Sequence, residues 1–195
     1  SQESSYTKDW LLPVCRSNST LPDDFDAVYA DAGLIGGNGK ATVGTWAFCY
    51  VKDNKIVYVE SGIIKAGMYQ MPTDRKMEND ICETFALLRA LSRVPTGWHG
   101  RVHSDNKNAI GRVFWEYKRD GIPESWFQYG LAKIDLAQSV AVHLDGHPTP
   151  EQLETGDGKR GNPVSIFNCF CDDECNNVRS RYEQWERYRA LLPAE

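Results

Sequence analysis

The spacing of apolar residues changes period part-way along the chain, and that change decides which folds are open to it. Up to residue 65 the period is two. An apolar run from Phe25 to Ala30 leads to Asp31; a Gly-rich turn, GLIGGNGK, opens into VGTWAFCYV; a turn at Asp53 and Asn54 leads into the alternating KIVYVESGIIK. Alternation separated by such turns predicts a meander of three antiparallel strands. Over residues 78–94 the period becomes 3.6, with Ile81, Phe85, Leu88 and Leu91 on one stripe of a helix. Glu83 falls at the border of that stripe, where a carboxylate is expected to reach the rim of a sheet without being buried.

Beyond the helix, residues 101–104 read as a short strand ending at Asp105, residues 106–117 and 124–138 as helices, and residues 140–144 as a strand. Residues 146–163 are rich in Gly, Pro and charge, which predicts a mobile loop. From Ser165 onward Cys171, Cys175, Val178, Tyr182 and Trp185 keep three-and-four spacing, the mark of a long amphipathic helix with Asp172 beside its stripe. The expected order is β-β-β-α-β-α-α-β-α. Residues 1–24 are polar and Pro-punctuated and are read as an extension of unknown role, leaving residues 25–192 as one domain.

With 195 residues, 41% of them hydrophobic, the chain is long enough for one sizeable core. Its apolar runs are too short to span a membrane, and its polar start, SQESSYTKDW, lacks the regions of a signal peptide. The expectation is an intracellular, cytoplasmic protein that is not secreted and is a monomer. The six cysteines lie mostly within strand-like and helix-like runs, so free buried thiols are expected rather than disulfides. Cys169, Cys171 and Cys175 with His143 or His147 match no usual zinc spacing.

Four acids then remain to be explained: Asp31 and Asp105 at strand ends, Glu83 on the first helix and Asp172 on the last. Each alone has a plain reading, since Asp after a strand is commonly a turn or cap residue, and Asp105-Asn106 can simply cap the next helix. Together, a carboxylate set without supporting Cys or His suits a hard divalent cation such as Mg²⁺ or Mn²⁺, and the chemistry that uses such sets is mostly phosphoryl transfer. A net charge of −5 looks wrong for a nucleic-acid binder. Two divalent ions in the site would bring the loaded protein close to neutrality, so charge excludes little.

In this order of elements, and in the motifs YADAG-x-x-G-G-N-G-K, ENDICETFALLRAL, VHSDN, LDGHP and N-C-F-C-D, the chain resembles type 1 ribonuclease H over about residues 25–185. The resemblance implies an α/β fold, an RNase H-like mixed five-stranded sheet with helices on both faces. It implies a metal-ligand quartet of Asp31, Glu83, Asp105 and Asp172 holding two Mg²⁺ ions, for which Mn²⁺ can substitute, with His147 assisting turnover. It places Gly33, Asn38, Asn79 and Asn106 at the substrate, and makes FWEYKRDGIPESWF the approach to a substrate-binding handle. The family's usual Asp-Gly-Ser reads Asp31-Ala32-Gly33 here. The implied activity is metal-dependent endonucleolytic cleavage of the RNA strand of RNA/DNA hybrids, giving 5′-phosphate and 3′-hydroxyl ends. The alternatives are a DNA-acting nuclease of the same fold, a junction resolvase or exonuclease, and a non-catalytic interaction domain that kept the fold.

Overall fold

The computed structural model describes residues 16–17, 20–36 and 43–193. Strands β2 (Ala27–Ile35), β3 (Val43–Lys52) and β4 (Lys55–Lys65) form the antiparallel meander that the alternation predicts. Helix α1 (Asn79–Ser92) then crosses the sheet to β5 (Arg101–Ser104), which lies parallel to β2. Helices α2 (Lys107–Phe114) and α3 (Glu124–Gly130) lead to β6 (Val140–His143), parallel to β5. A short α4 (Pro150–Thr155) precedes the long α5 (Ile166–Arg189). The residue pair β1 (Arg16–Ser17), in the stretch read as an extension, adds an antiparallel edge to β4, giving the order β1-β4-β3-β2-β5-β6. The five strands expected from the periodicity thus form the body of a mixed sheet.

Alternation along β2 splits the interior into two cores. Val28, Ala30 and Ala32 pack with Trp46, Phe48 and the apolar side of α1, whereas Ala27 and Tyr29 face Ala47, Cys49, Cys171 and Cys175 on the α5 side. Helix α1 lies so close to β3 that a Cβ at Gly44 would overlap the Cys82 sulfur. Covered by the sheet on one side and by α2 and α3 on the other, α1 is buried from Ile81 to Ser92. That overturns the expectation of a half-exposed Glu83, which is 4% exposed. A single amphipathic stripe describes a helix on a surface; α1 is a middle layer.

The other differences are local and have local causes. The helix expected over 124–138 stops at Gly130, and only Leu136–Gln138 resumes as a 3₁₀ turn capped by Asp135. The loop over 146–163 is ordered by α4, whose Thr149 and Gln152 form a reciprocal capping box behind Pro150. The stripe of α5 is buried through Val178, but Trp185 is 51% exposed, because the helix runs past the sheet it packs on.

Cys49, Cys82, Cys171 and Cys175 are free and buried, as the sequence leads one to expect. The thiols of Cys171 and Cys175 reach the carbonyls of Tyr29 (3.6 Å) and Asp31 (3.5 Å). Side chains this small let α5 sit against the backbone of β2.

Candidate active site

The site forms where β2 and β5 separate. Their parallel ladder pairs Ala27 with Arg101, Val28 with Val102 and Tyr29 with His103. Two residues past that last pair stand Asp31 on one strand and Asp105 on the other, level with each other at the carboxyl end of the split. In an open α/β sheet this crevice, with chain leaving in opposite directions on either side, is the place where ligands bind. The ladder is pinned just below by His103, whose ring stacks on Tyr29 at 3.9 Å and whose Nδ1–H donates to the Val28 carbonyl (3.0 Å).

Glu83 enters from α1. One carboxylate oxygen of each of Asp31, Glu83 and Asp105 lies within 4.8 Å of the others. The helix can offer a carboxylate there only because Glu83 sits on its second turn, at the end nearest the strand split. Asp172, on α5, lines the same cleft from the opposite face of the sheet, with 37% of its side chain exposed. Its neighbour Asp173 is exposed and does not line that cleft.

Electrostatics mark the cluster as incomplete without a cation. Burial pushes the Asp31 carboxyl well above the usual carboxylate range, and the charge of Asp105 pushes it further. Glu83 is raised by burial first and then by Asp31 and Asp105. Burial also raises Asp105, opposed by a hydrogen bond from Asn168. Glu83 and Asp31 share a hydrogen bond, while Glu83 Oε2 is buried without a partner. Several carboxylates forced together in low dielectric, one with an orphaned oxygen, fit an oxygen-loving divalent ion. Among the described residues this is the one group of three acidic, His or Cys side chains close enough to hold a metal. The Cys169, Cys171 and Cys175 set forms no such group.

The remaining expected residues fall at different distances from this centre. His147 is 86% exposed, with Nδ1 3.9 Å from an Asp172 oxygen, and it adopts a positive φ of 49°. Asn79, the first residue of α1, and Asn106 both line the cleft. Asn106 also caps α2, its Oδ1 accepting from Ala109 N (2.9 Å) while its Nδ2 donates to Asp80 (3.0 Å). The capping reading of Asn106 and its place in the cleft therefore hold together. Gly33 lies beside Thr45 and Arg179 and outside the cleft lining. Asn38 lies outside the described residues.

In the stretch compared with a handle, Trp126 and Phe127 are core, and the Arg119 guanidinium lies 3.9 Å over the Phe127 ring and donates to the Arg112 carbonyl. Trp115 and Tyr117 remain on the surface.

Sequence reasoning missed two residues. Asn168, 3% exposed, donates from Nδ2 to Asp105 Oδ2 (3.1 Å) and so sets the rotamer of that carboxylate. Its signal was its position one helical turn before Asp172, on the same face. Asp145, 5% exposed, braces the segment beyond α4, and nothing in the local pattern announces it.

With this geometry in place, likeness to known structures can be weighed. The N-terminal RNase H domain of Rv2228c from Mycobacterium tuberculosis, solved as a fusion with maltose-binding protein, is 14% identical over 83% of this chain and 99% of that one, with a TM-score of 0.50. The foamy viral protease–reverse transcriptase in complex with an RNA/DNA hybrid is 11% identical over 86% of this chain and 22% of that one, also at 0.50. The fold is RNase H-like.

A further likeness is to RNase H1 from the halophilic archaeon Halobacterium salinarum NRC-1, at 15% identity over 63% of this chain and 87% of that one, with a TM-score of 0.47. No family model and no curated protein matches the sequence. In this RNase H-like sheet the buried Asp31 and Glu83 and the half-buried Asp105 stand at the strand split, one acid on each central strand's path and one on the crossing helix.

Proposed function

We propose that the protein is a metal-dependent endonuclease that hydrolyses the RNA strand of RNA/DNA hybrids, leaving 5′-phosphate and 3′-hydroxyl ends. The observation that carries the reading is the convergence of Asp31, Glu83 and Asp105 at the switch point of an RNase H-like sheet. Asp31, Glu83, Asp105 and Asp172 would hold two Mg²⁺ ions, for which Mn²⁺ can substitute. Bound there, the ions supply activation of the attacking water and charge stabilisation of the leaving 3′ oxygen.

The chain's own residues do the rest. Burial of Asp31 and Glu83 keeps competing water from their ligand atoms, and Asn168 holds Asp105 in one orientation. His147, exposed at the rim beside Asp172, would pass a proton and help the product leave. Asn79 and Asn106 present amides on the cleft wall, able both to accept from a 2′-hydroxyl and to donate to a base edge.

The test is a cleavage assay on matched hybrid, double-stranded RNA and double-stranded DNA, with Mg²⁺, with Ca²⁺ and with EDTA. Cleavage of the hybrid alone, dependent on Mg²⁺ and abolished by Asp105→Asn, is the expected result. Cleavage of DNA alone assigns a DNA-acting nuclease instead. Full activity in EDTA or in Asp105→Asn removes the site assignment, and absence of cleavage from a folded, Mg²⁺-loaded protein makes this a binding domain.

A further inference from the structure

Part of the cleft wall is made by the segment that follows α4. Lys159 and Arg160 line it, and among the described residues they are the cleft's only permanently cationic side chains. Both are exposed, at the tip of a tight hairpin over residues 156–163. This tip is held from inside. The Asp145 carboxylate, two residues beyond β6, accepts from Arg160 N (2.7 Å), Asn162 N (3.3 Å) and Asn162 Nδ2 (2.9 Å). Asp145 N donates to Pro163 O (2.9 Å), and Gly158 N to Asn162 O (2.9 Å), closing both ends of the hairpin. Position 158 tolerates no side chain, since a Cβ there would overlap Asp145 itself.

A solvated turn needs no buried carboxylate to hold its shape. Here three hydrogen bonds to an ionisable group 5% exposed, one from Arg160 N and two from Asn162, fix the backbone of the turn that carries two adjacent cations. They line the same cleft as the acidic cluster, yet no ion pair to that cluster holds either of them among the described residues. Guanidinium and ammonium groups lining the same cleft as a cation-binding cluster suit an anion that bridges the two, and the anion that divalent ions and basic side chains share is a phosphodiester.

We propose that Lys159 and Arg160 form a phosphate clamp for the nucleic-acid backbone beside the acidic cluster, and that Asp145 is the positioning residue that presents it. The proposal rests on the nuclease reading above and deepens it. The clamp holds a phosphate flanking the one at the carboxylates, without sequence preference. Because the chain as a whole is acidic, two preorganised cations at this point supply local attraction that net charge does not.

The test measures equilibrium binding of a fluorescent RNA/DNA hybrid in Ca²⁺ over a range of salt, using the full chain, with thermal melts to verify folding. Lys159→Gln with Arg160→Gln is expected to weaken binding about five- to thirtyfold and to lower the slope of log affinity against log salt by about two, as loss of two phosphate contacts requires. Asp145→Ala is expected to weaken binding in the same direction, and Lys159→Arg to leave affinity and slope near those of the parent. If the parent binds and the double variant matches it in affinity and slope, the clamp is overturned while the nuclease reading stands. If Asp145→Ala folds and binds as the parent does, the positioning role is overturned. A parent that binds no nucleic acid overturns both, and a parent that cleaves DNA alone overturns the hybrid substrate and leaves the clamp to be read on that duplex.

Discussion

Each acid at the strand split costs stability until something neutralises it. Asp31, Glu83 and Asp105 all have raised affinities for protons in the folded protein, so between the ordinary carboxylate range and their folded values the native state holds protons that the unfolded chain has released. Stability from these groups is therefore greatest in acid and falls as pH rises. His103 acts in the opposite sense, because burial lowers it to about 4, so the folded state loses stability as pH drops from about 6.5 towards that value. The two effects separate in a variant. In EDTA, Asp31→Asn is expected to melt above the parent, by a margin that grows from pH 5 to pH 8, and Mg²⁺ is expected to stabilise the parent and not the variant. Equal melting of the two proteins at every pH would mean that Asp31 is not under strain. Asn168→Ala frees the Asp105 carboxylate and leaves the ligand itself in place, so it is expected to weaken divalent-ion affinity about tenfold or more, as loss of a ligand's supporting partner does. Titration calorimetry with Mn²⁺ reads this directly, and unchanged affinity would reduce Asn168 to packing.

At the scale of elements, α1 is tied to the sheet at both ends, by carboxylates of opposite use. Its first half offers Glu83 to the cleft, whereas its last turns meet Glu60 of β4, which is 1% exposed, bridged by Arg89 (3.4 Å) and paired with Arg93 and Tyr58. Arg89 is itself 2% exposed. Removing one member of a buried ionic set leaves the others without compensation, at a cost of roughly 3–5 kcal/mol. Glu60→Ala is thus expected to lower unfolding free energy by about that amount in urea, while a folded remnant keeps its Mn²⁺ affinity because Glu83 lies more than a helical turn away from Arg89. A loss under 1 kcal/mol would show that the arginines find solvent instead.

At the scale of the whole molecule the charge balance sets a condition on binding. The chain carries −5 with five carboxylates, Asp145 among them, lining one cleft, and a nucleic-acid backbone brought to that cleft meets repulsion unless the acids are neutralised. In EDTA the parent is expected to bind an RNA/DNA hybrid at least tenfold more weakly than in Ca²⁺. A variant with Asp31→Asn and Asp105→Asn together is expected to bind in EDTA better than the parent does. Metal-independent affinity that is the same in both proteins would place the binding surface away from the cleft.

How much of this was legible beforehand depends on range. Period-two alternation over residues 27–65 and period-3.6 spacing over 79–92 are properties of neighbouring residues, so the three-strand meander and the first helix could be read directly, as could the placing of Asp105 just past a strand end. Asp31, expected to end its strand, lies mid-way along β2, because pairing with β3 carries the strand on to Ile35, into the segment read as a turn. Asn106 as a cap and the free buried thiols followed from equally local chemistry. What needed the tertiary structure was every relation between segments: that β2 and β5 pair in a register bringing Asp31 level with Asp105, that α1 lies between two layers and so buries Glu83, and that Asn168 reaches Asp105 across 63 residues. Asp145 and Arg160 show the limit most clearly, since a carboxylate that accepts backbone N–H groups 15 and 17 residues away leaves no periodic trace. A residue's spacing along its own element encodes which face it occupies, whereas what meets it on that face is set by pairing register and layer order, which are decided only when distant segments compete to bury their apolar sides against one another.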